Sequence, residues 1–134
     1  MKIRNLCKTY DIKNGEKVHA LKGVSFDLPS TGMVAVLGKS GSGKSTLLNI
    51  LSGLDSFDSG DIEAFGKNMK DFSRAELDNY RNSCISFVFQ EYHLIPELSV
   101  GENIAIALQL QGEQNADENV KSVYNCIGIF IVSR

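Results

Sequence analysis

The stretch VAVLGKSGSGKSTLLNILSG, residues 34–53, decides the fold because its pattern changes twice over a short distance. It begins with an uninterrupted apolar run, Val34 to Leu37, which is typical of a strand buried on both faces of a parallel sheet. A glycine-rich loop follows, and Lys44 to Ser52 then has apolar residues at helical spacing, with Gly53 where a helix C-cap favours glycine. The order of strand, glycine loop and helix predicts an α/β fold.

The loop from Gly38 to Thr46 reads G-K-S-G-S-G-K-S-T and matches the full phosphate-binding pattern G-x-x-x-x-G-K-[ST]. Glycines allow successive N–H groups to surround an anion, and the following helix presents its positive end to that anion. A helix terminus contributes only about 0.3 to 1 kcal/mol against one exposed charge, so a triphosphate also needs a cation. We therefore expect Lys44 to contact the β- and γ-phosphates, Ser45 to give its hydroxyl to Mg²⁺, and Thr46 to support the loop. The predicted nucleotide contacts are Gly38, Lys39, Ser40, Gly41, Ser42, Gly43, Lys44, Ser45 and Thr46.

Composition narrows the class of protein further. The chain has 134 residues, with 14 basic and 16 acidic side chains scattered along it, which suits one soluble domain and argues against nucleic acid as a partner. Its apolar stretches are shorter than the roughly 18 residues a membrane span needs, so we expect no unaided membrane crossing. The three cysteines, at 7, 84 and 126, have neither zinc-site nor disulfide-framework spacing, which favours a reducing cytosol.

The region before the glycine loop predicts an antiparallel layer. Residues 2–6 and 18–28 have the apolar alternation of short strands, and Gly23 indicates a bend or bulge in the second one. A polar turn from Asp11 to Gly15 separates them. This part of the chain is therefore predicted to form an antiparallel layer of two short strands.

The region after the loop alternates strands and helices. We predict a strand at 61–65, a helix from the capping box Ser73/Glu76 to about Arg81, a buried strand from Cys84 to Phe89, and a helix beginning at a second capping box, Ser99/Glu102. A polar linker at 112–118 is expected before a final short helix.

Four segments together, LCKTY, LKGVSFDL, GKSGSGKSTLLNILSGL and FVFQEYHLIPELSVGENI, resemble in content and order the ATP-binding-cassette (ABC) ATPase of transporters. The resemblance covers residues 2 to about 112 and is nearest in look to bacterial exporters of the macrolide, antimicrobial-peptide and lipoprotein-releasing kind. It implies a P-loop NTPase core of α/β class with an N-terminal antiparallel β layer, incomplete because the C-terminal part of the cassette is missing. The implied divisions of this partial nucleotide-binding domain, 1–134, are the β layer at 1–30, the Walker A to Q-loop core at 31–90, and the start of a helical subdomain at 91–134.

The resemblance also implies residue roles. Tyr10 would be the aromatic that stacks on adenine, Gly38 to Thr46 the Walker A loop, and Gln90 the Q-loop glutamine that contacts Mg²⁺ and the attacking water. Lys44 and Gln90 are thus the implied catalytic residues, and Ser45 and Gln90 the implied metal contacts. Two plainer readings stay open: Tyr10 as a half-exposed aromatic at a strand end, and Gln90 as a polar strand end.

Other family motifs are absent from these residues: the signature LSGGQ, a Walker B strand ending in Asp-Glu, and a switch histidine. Leu51 to Gly53 begins like the signature, but we interpret it as a helix end. Glu91 does not suit the role of the Walker B glutamate, because the neutral Gln90 would then stand where a magnesium-binding carboxylate belongs. The apolar tail IGIFIVSR suggests a chain cut or altered there. Without a Walker B strand, we expect exposed apolar faces, unpaired edges and poor solubility or self-association.

The function implied is that of the ATP-binding subunit or domain of a bacterial ABC export transporter, at the cytoplasmic side of the membrane. Its cofactors would be ATP and Mg²⁺, and its partners a permease subunit or fused transmembrane domain and a second cassette. These 134 residues are expected to bind Mg-ATP without turnover. The alternatives are a soluble cassette ATPase of DNA repair or translation, an unrelated P-loop kinase, and an inert truncated product.

Overall fold

The computed structural model describes residues 1–12, 15–89 and 94–110, with only the backbone of Ala107. The chain divides into two compact units, Met1–Ser86 and Phe87–Arg134. The predicted linker at 112–118, the final short helix and Gln90 lie outside the described residues.

An antiparallel sheet with the strand order β2-β1-β3-β4 dominates the first unit. Its strands are β1 (Lys2–Asp11), β2 (Lys17–Asp27), β3 (Ser59–Ala64) and β4 (Lys67–Asn68). The predicted antiparallel layer is confirmed, with strands longer at the β1–β2 turn than the sequence suggested. Because β1 pairs with β2 on one side and β3 on the other, its backbone is held along both edges.

The bulge predicted at Gly23 is present. Leu6 pairs with Val24 and Cys7 with Lys22, so Gly23 is passed over, and its φ is +74°. Glycine adopts this conformation without the steric strain of a side chain. The strand predicted at 61–65 instead spans Ser59–Ala64, because Phe65, with φ +54°, already belongs to the turn before β4.

Helix α1 (Lys44–Leu51) begins at the glycine loop and ends as predicted. Ser52 is its C-cap, and Gly53, with φ +73°, donates its N–H to the carbonyl of Ile50 at 3.0 Å. Glycine suits this left-handed position after a helix. The C-terminal end of α1 is therefore fixed by local chemistry that the sequence already indicated.

Helix α2 (Arg74–Cys84) begins with the predicted capping box, in which Ser73 and Glu76 exchange hydrogen bonds of 2.7 and 3.2 Å. It is one turn longer than expected. Its last two turns contact the end of α1, since Tyr80 donates its hydroxyl to the Leu51 carbonyl at 2.7 Å and Arg81 donates to the Gly53 carbonyl at 2.9 Å. These tertiary bonds hold the part of α2 that directly precedes the extra turn. A short 3₁₀ helix, Met69–Asp71, precedes α2.

The core of the first unit lies between the sheet and the two helices. Its most completely buried side chains come from β1, α1 and β3, and are Ile3, Leu6, Ile50 and Ile62. Leu21, Leu47, Leu51, Ala64, Met69 and Tyr80 complete the cluster. One face of the sheet is thus packed against the helix that follows the glycine loop.

Two predicted strands are wrong. Val34 to Leu37 does not belong to any strand of the described chain, and Leu37 is 90% exposed. The predicted strand from Cys84 to Phe89 is also absent, because Cys84 is the last residue of α2 and residues 85–89 are assigned to no strand. A strand requires a neighbouring strand in a sheet, and no described strand lies in a sheet with either stretch. The exposed apolar surface expected around the glycine loop is confirmed at Val34 and Leu37.

The described part of the second unit contains helix α3 (Val100–Leu110). Its predicted capping box is present, with Ser99 N–H bonded to Glu102 at 2.8 Å and Glu102 N–H bonded to the Ser99 hydroxyl at 3.3 Å. Asn103 holds the preceding turn by accepting from the Ile95 N–H at 2.8 Å and donating to the Ile95 carbonyl at 3.1 Å. Over the described ranges, no helix combines the length and apolarity needed to cross a bilayer.

Candidate functional site: a glycine loop beside Tyr10

The glycine loop makes a tight turn directly before α1. Gly41 and Gly43 have φ of +76° and +84°, and Gly43 is the residue that caps α1 at its N-terminus. No side chain caps this end of the helix; instead the carbonyl of Gly43 accepts from the Leu47 N–H at 2.8 Å. The first N–H groups of the helix therefore remain available for an anion.

Space favours glycine at two loop positions, and at Gly43 the backbone conformation, with φ +84°, requires it as well. A Cβ on Gly38 would lie 2.5 Å from the Ser42 hydroxyl oxygen. A Cβ on Gly43 would lie 2.5 Å from the carbonyl oxygen of Ala20 in β2. The loop therefore rests directly on the antiparallel layer, which is a contact that the sequence motif does not reveal.

Lys44 turns its side chain back into the loop. Its ammonium donates to the carbonyls of Gly38 and Lys39 at 2.8 and 2.7 Å, and to the Ser42 hydroxyl at 3.4 Å. The positive charge thus lies inside the turn formed by the loop. A cation in this position, next to the start of a helix, attracts phosphate oxygens.

A cavity of about 310 Å³ opens beside the loop. It is lined by Tyr10 of β1, by Val18 and Ala20 of β2, and by the loop and helix residues Ser40, Gly41, Ser42, Gly43, Lys44, Ser45 and Thr46. Gly38 and Lys39 do not line it, although both bond to Lys44. Tyr10 and the loop, which are far apart in sequence, therefore share one cavity. Val18 and Ala20 were not singled out as site residues from the sequence.

Tyr10 is held by two residues that the sequence reading did not assign to the site. Its hydroxyl donates to Asp55 Oδ2 at 2.6 Å, and the Lys8 ammonium lies 4.9 Å from its ring centroid. The Lys8 ammonium also donates to Asp55 Oδ1 at 2.9 Å. The sequence could have indicated Lys8, because residues two apart on a strand, such as Lys8 and Tyr10, share a face. It could not have indicated Asp55, which is distant from Tyr10 in sequence.

These contacts shift the ionisation of all three groups. The hydrogen bond with Asp55 raises the pKa of the Lys8 ammonium and that of the Tyr10 phenol. The Thr46 side chain acts on the phenol pKa in the opposite sense, through its own interaction with Tyr10. Burial acts to raise the pKa of Asp55, but the bonds from Tyr10 and Lys8 hold it below its usual value. The carboxylate is therefore charged near neutral pH and pairs with a charged lysine.

The residues fit a magnesium nucleotide. The cradle of glycines, the Lys44 ammonium and the helix N-terminus all suit phosphate groups. No cluster of three or more His, Cys, Asp or Glu side chains suited to a metal occurs in the described ranges. Mg²⁺ commonly takes few protein ligands and binds phosphate oxygens and waters instead, so the exposed Ser45 hydroxyl suffices as a contact from the loop. Gln90, the other expected contact, is outside the described residues.

Comparison with known proteins identifies the family. Residues 21–130 match the family described as ABC transporter. The chain belongs to this family. It is thus part of an ABC transporter ATP-binding domain, and its glycine loop is the P-loop of an ATP-binding family. The resemblance noted in the sequence is confirmed.

Individual relatives agree with the family assignment. The ABC transporter ATP-binding protein YxdL of Bacillus subtilis is 42% identical over 84% of this chain and 43% of its own length. The lipoprotein-releasing system ATP-binding protein LolD 1 of Rhodopirellula baltica is 40% identical over 87% of this chain and 50% of its own. The bacitracin export ATP-binding protein BceA of Halalkalibacterium halodurans is 38% identical over 94% of this chain and 50% of its own. The chain therefore spans about half the length of these relatives.

A solved structure confirms the fold. The ABC cassette MJ0796, in a dimeric post-hydrolysis state bound to ADP and Pi, matches with a TM-score of 0.81 and 35% identity. The match covers 95% of this chain and 55% of that structure. The fold predicted from the sequence, an ABC cassette with an N-terminal antiparallel layer, is confirmed, and it is partial.

Proposed function

We propose that this ABC family chain binds ATP with Mg²⁺ at the loop Gly38 to Thr46, as the ATP-binding part of a bacterial export transporter. The observation that carries the proposal is the Lys44 ammonium, held inside the loop by the Gly38 and Lys39 carbonyls at the edge of the cavity that Tyr10 lines. Around one cavity, the cation and the helix N-terminus suit the phosphates of a nucleoside triphosphate, and the aromatic ring suits its base.

The side chains divide this task. Lys44 exchanges its carbonyl partners for β- and γ-phosphate oxygens, while the N–H groups of Ser40 to Thr46 surround the same anion. Ser45 would contact Mg²⁺, which would neutralise phosphate charge when bound. Tyr10 stacks on the adenine, a contact worth about 1 to 3 kcal/mol with little selectivity for the base. Gln90, in its proposed Q-loop role, would be a second protein contact to Mg²⁺.

The proposed partners follow from the relatives. Two of the matched proteins are named as components of a lipoprotein-releasing system and of bacitracin export, and the structural neighbour is a dimer. We infer a permease subunit or fused transmembrane domain as the membrane partner, and a second cassette as the dimer partner. The chain then works at the cytoplasmic face of a bacterial membrane, as a peripheral component.

These 134 residues are proposed to bind Mg-ATP without turning it over. They contain the P-loop lysine but none of the signature, Walker B carboxylate or switch histidine motifs. Hydrolysis requires a group that orients and activates the attacking water, and a lysine that neutralises phosphate charge does not replace it. Binding and turnover are therefore expected to separate in this chain.

Calorimetric titration of the full chain with Mg-ATP tests the binding proposal. Lys44→Ala is expected to weaken ATP binding by at least about tenfold, because it removes a charge-assisted contact with phosphate. The matched control is Lys2→Ala, which removes an exposed lysine at the other end of β1, paired with Glu63 at 3.3 Å. Equal ATP affinity in the wild type and Lys44→Ala would contradict binding at this loop.

A phosphate-release assay on the same samples tests the absence of turnover. The wild type is expected to release phosphate at the rate of the buffer blank. Steady release that Lys44→Ala abolishes and Lys2→Ala preserves would show hydrolysis by these residues and overturn that part of the proposal.

A further inference from the structure

The Asp55 carboxylate bridges two residues of β1, the buried lysine and the aromatic at the cavity. Oδ1 accepts from the Lys8 ammonium at 2.9 Å and Oδ2 accepts from the Tyr10 hydroxyl at 2.6 Å. The same ammonium lies 4.9 Å from the Tyr10 ring centroid. The three side chains form a closed set, which we call the Lys8–Asp55–Tyr10 triad.

Within the triad, Lys8 is buried and Asp55 is half-buried. The Lys8 side chain is only 8% exposed, and that of Asp55 is 29% exposed. A buried ammonium needs partners that replace its water shell, and Lys8 has them in Asp55 and in the Ser56 carbonyl at 2.7 Å. With its proton donors committed to these partners, Lys8 has little freedom to move. It is a fixed cation beneath one face of the Tyr10 ring.

Asp55 is anchored to the end of the helix that starts in the glycine loop. The N–H groups of Leu54 and Asp55 both donate to the carbonyl of Asn49, at 2.9 and 3.2 Å. Helix α1 runs from Lys44 to Leu51, a rigid element of about 12 Å at 1.5 Å per residue. One helix therefore carries the phosphate-binding lysine at its first residue and, just beyond its last, the carboxylate that holds Tyr10.

We propose that Asp55 and Lys8 are positioning residues that fix the Tyr10 ring relative to the glycine loop, so that the adenine and the phosphates of one nucleotide fit at the same time. Asp55 sets the orientation of the ring through the hydroxyl. Lys8 covers one face of the ring, which leaves the opposite face for the base. The cation–π attraction between the Lys8 ammonium and the ring also holds the ring in place. The inference rests on the proposed ATP binding and deepens it.

The consequence is a selective effect on the base. Fixing the ring before binding removes the entropy cost of ordering it when the nucleotide arrives. Inorganic tripolyphosphate carries the phosphates without adenine, so its binding depends on the loop and not on the ring. The ratio of ATP affinity to tripolyphosphate affinity therefore measures the contribution of the positioned ring.

The test uses this ratio, measured by calorimetry with Mg²⁺ on the full chain. Tyr10→Phe keeps the ring and the Lys8–Asp55 ion pair but removes the hydroxyl link, and Asp55→Asn weakens both links. Each variant is expected to lower the ratio by about 3- to 10-fold, the cost of ordering one side chain. The matched control is Asp61→Asn, because Asp61 pairs with Lys70 at 3.4 Å on another part of the sheet. It is expected to leave the ratio unchanged.

A double variant shows whether Asp55 acts through Tyr10. If it does, Tyr10→Phe combined with Asp55→Ala lowers the ratio no further than Asp55→Ala alone, because Asp55→Ala has already removed the acceptor of the Tyr10 hydroxyl. If the double variant lowers the ratio by the product of the two single-variant factors, the two residues act independently and the inference is overturned. A cooperative thermal melt of each variant checks that it is folded.

The remaining outcomes are distinct. An unchanged ratio in folded Tyr10→Phe and Asp55→Asn overturns the inference and leaves ATP binding intact. An equal loss of ATP and tripolyphosphate affinity in Asp55→Asn shows that Asp55 supports the loop itself, which also overturns it. If the wild type binds tripolyphosphate as tightly as ATP, Tyr10 contributes nothing by stacking on the base, and the inference is overturned. A wild type that binds neither ligand overturns the proposed function, and the inference with it.

Discussion

Strand β1 and the run Val34 to Leu37 differ in a way that apolar content alone does not anticipate. The run is the more continuously apolar of the two, yet Val34 is 50% and Leu37 is 90% exposed. Strand β1 carries lysine, arginine and asparagine among its residues, yet Ile3 and Leu6 are 0% exposed. The more polar segment is the one that is packed.

The difference lies in the neighbours of each segment. β1 is paired with β2 and β3 and covered on one face by α1. Val34 to Leu37 pairs with no strand in the part of the chain that the structure describes. An apolar run specifies a buried strand only when partners supply its hydrogen bonds and cover its side chains. An apolar pattern therefore indicates that a segment needs strand partners and burial, but it does not show whether the fold provides them.

Substitution of one leucine in each region tests this most strongly. Leu6→Ala is expected to lower the free energy of unfolding by about 2 to 5 kcal/mol, because it leaves a cavity in the core. Leu37→Ala removes the same atoms from water-exposed surface and is expected to change it by less than about 0.5 kcal/mol. Denaturant unfolding followed by circular dichroism measures both. Similar losses in the two variants would show that Leu37 is packed in solution.

The glycine loop, which follows the exposed run and contacts β2 at Ala20, is expected to show an intermediate effect. Gly43→Ala places a methyl group 2.5 Å from the Ala20 carbonyl oxygen at φ +84°, whereas at Gly41, with φ +76°, no atom lies within 4 Å of the added methyl. Gly41→Ala is expected to cost the backbone strain alone, about 1 to 2 kcal/mol of unfolding free energy. Gly43→Ala is expected to cost more, and to weaken ATP binding more.

The same unfolding and ATP titrations check the loop prediction, with Gly41→Ala as the matched control. An equal cost for both variants would mean that the packing of the loop on β2 is not maintained in solution. In that case the loop would be unpacked, as the run Val34 to Leu37 is, and not packed as β1 is.

The cap of α2 gives the smallest effect, and it depends on pH. The Lys67 ammonium and the Ser73 groups lower the pKa of Glu76 from 4.5 to about 2. A carboxyl group whose pKa is lowered by folding stabilises the fold fully at pH values above its ordinary pKa. This stabilisation is lost as the pH falls through the folded-state pKa. Glu76→Gln is therefore expected to lower stability near neutral pH, with the difference closing between pH 4.5 and about 2.

Glu102→Gln is the matched control, because Glu102 makes a similar capping box with Ser99 but has no lysine among the groups that lower its pKa. It is expected to show a weaker pH dependence in the same thermal melts. A difference between wild type and Glu76→Gln that stays constant from pH 7 to about 2 would contradict the role of the charge.

The local signals in the sequence predicted local structure well. The start and end of α1, both capping boxes and the bulge at Gly23 all appear where their residue types indicated. Each depends on contacts within a few residues, so the sequence carries the whole interaction. The length of α2 was underestimated, and the sequence pattern also did not indicate the bonds from Tyr80 and Arg81 to a distant segment.

The candidate site divides in the same way. The motif predicted the P-loop, and the resemblance added Tyr10, which the structure places at the same cavity. Neither one pointed to Asp55 as the partner of Tyr10, or to the contact between Gly43 and the Ala20 carbonyl. Both contacts join segments that are separated by many residues, and a pattern within one segment does not record its distant neighbour.

The sequence by itself determined the family, the glycine loop with its lysine, and the helix that the loop begins. It did so because backbone freedom at glycine, helix capping and a cation at fixed spacing are properties of adjacent residues. Only the tertiary structure decided that β1 is buried and Val34 to Leu37 exposed, and that Lys8, Asp55 and Tyr10 meet beside the loop. Burial and side-chain pairing depend on which segments lie next to each other, and folding alone brings those segments together.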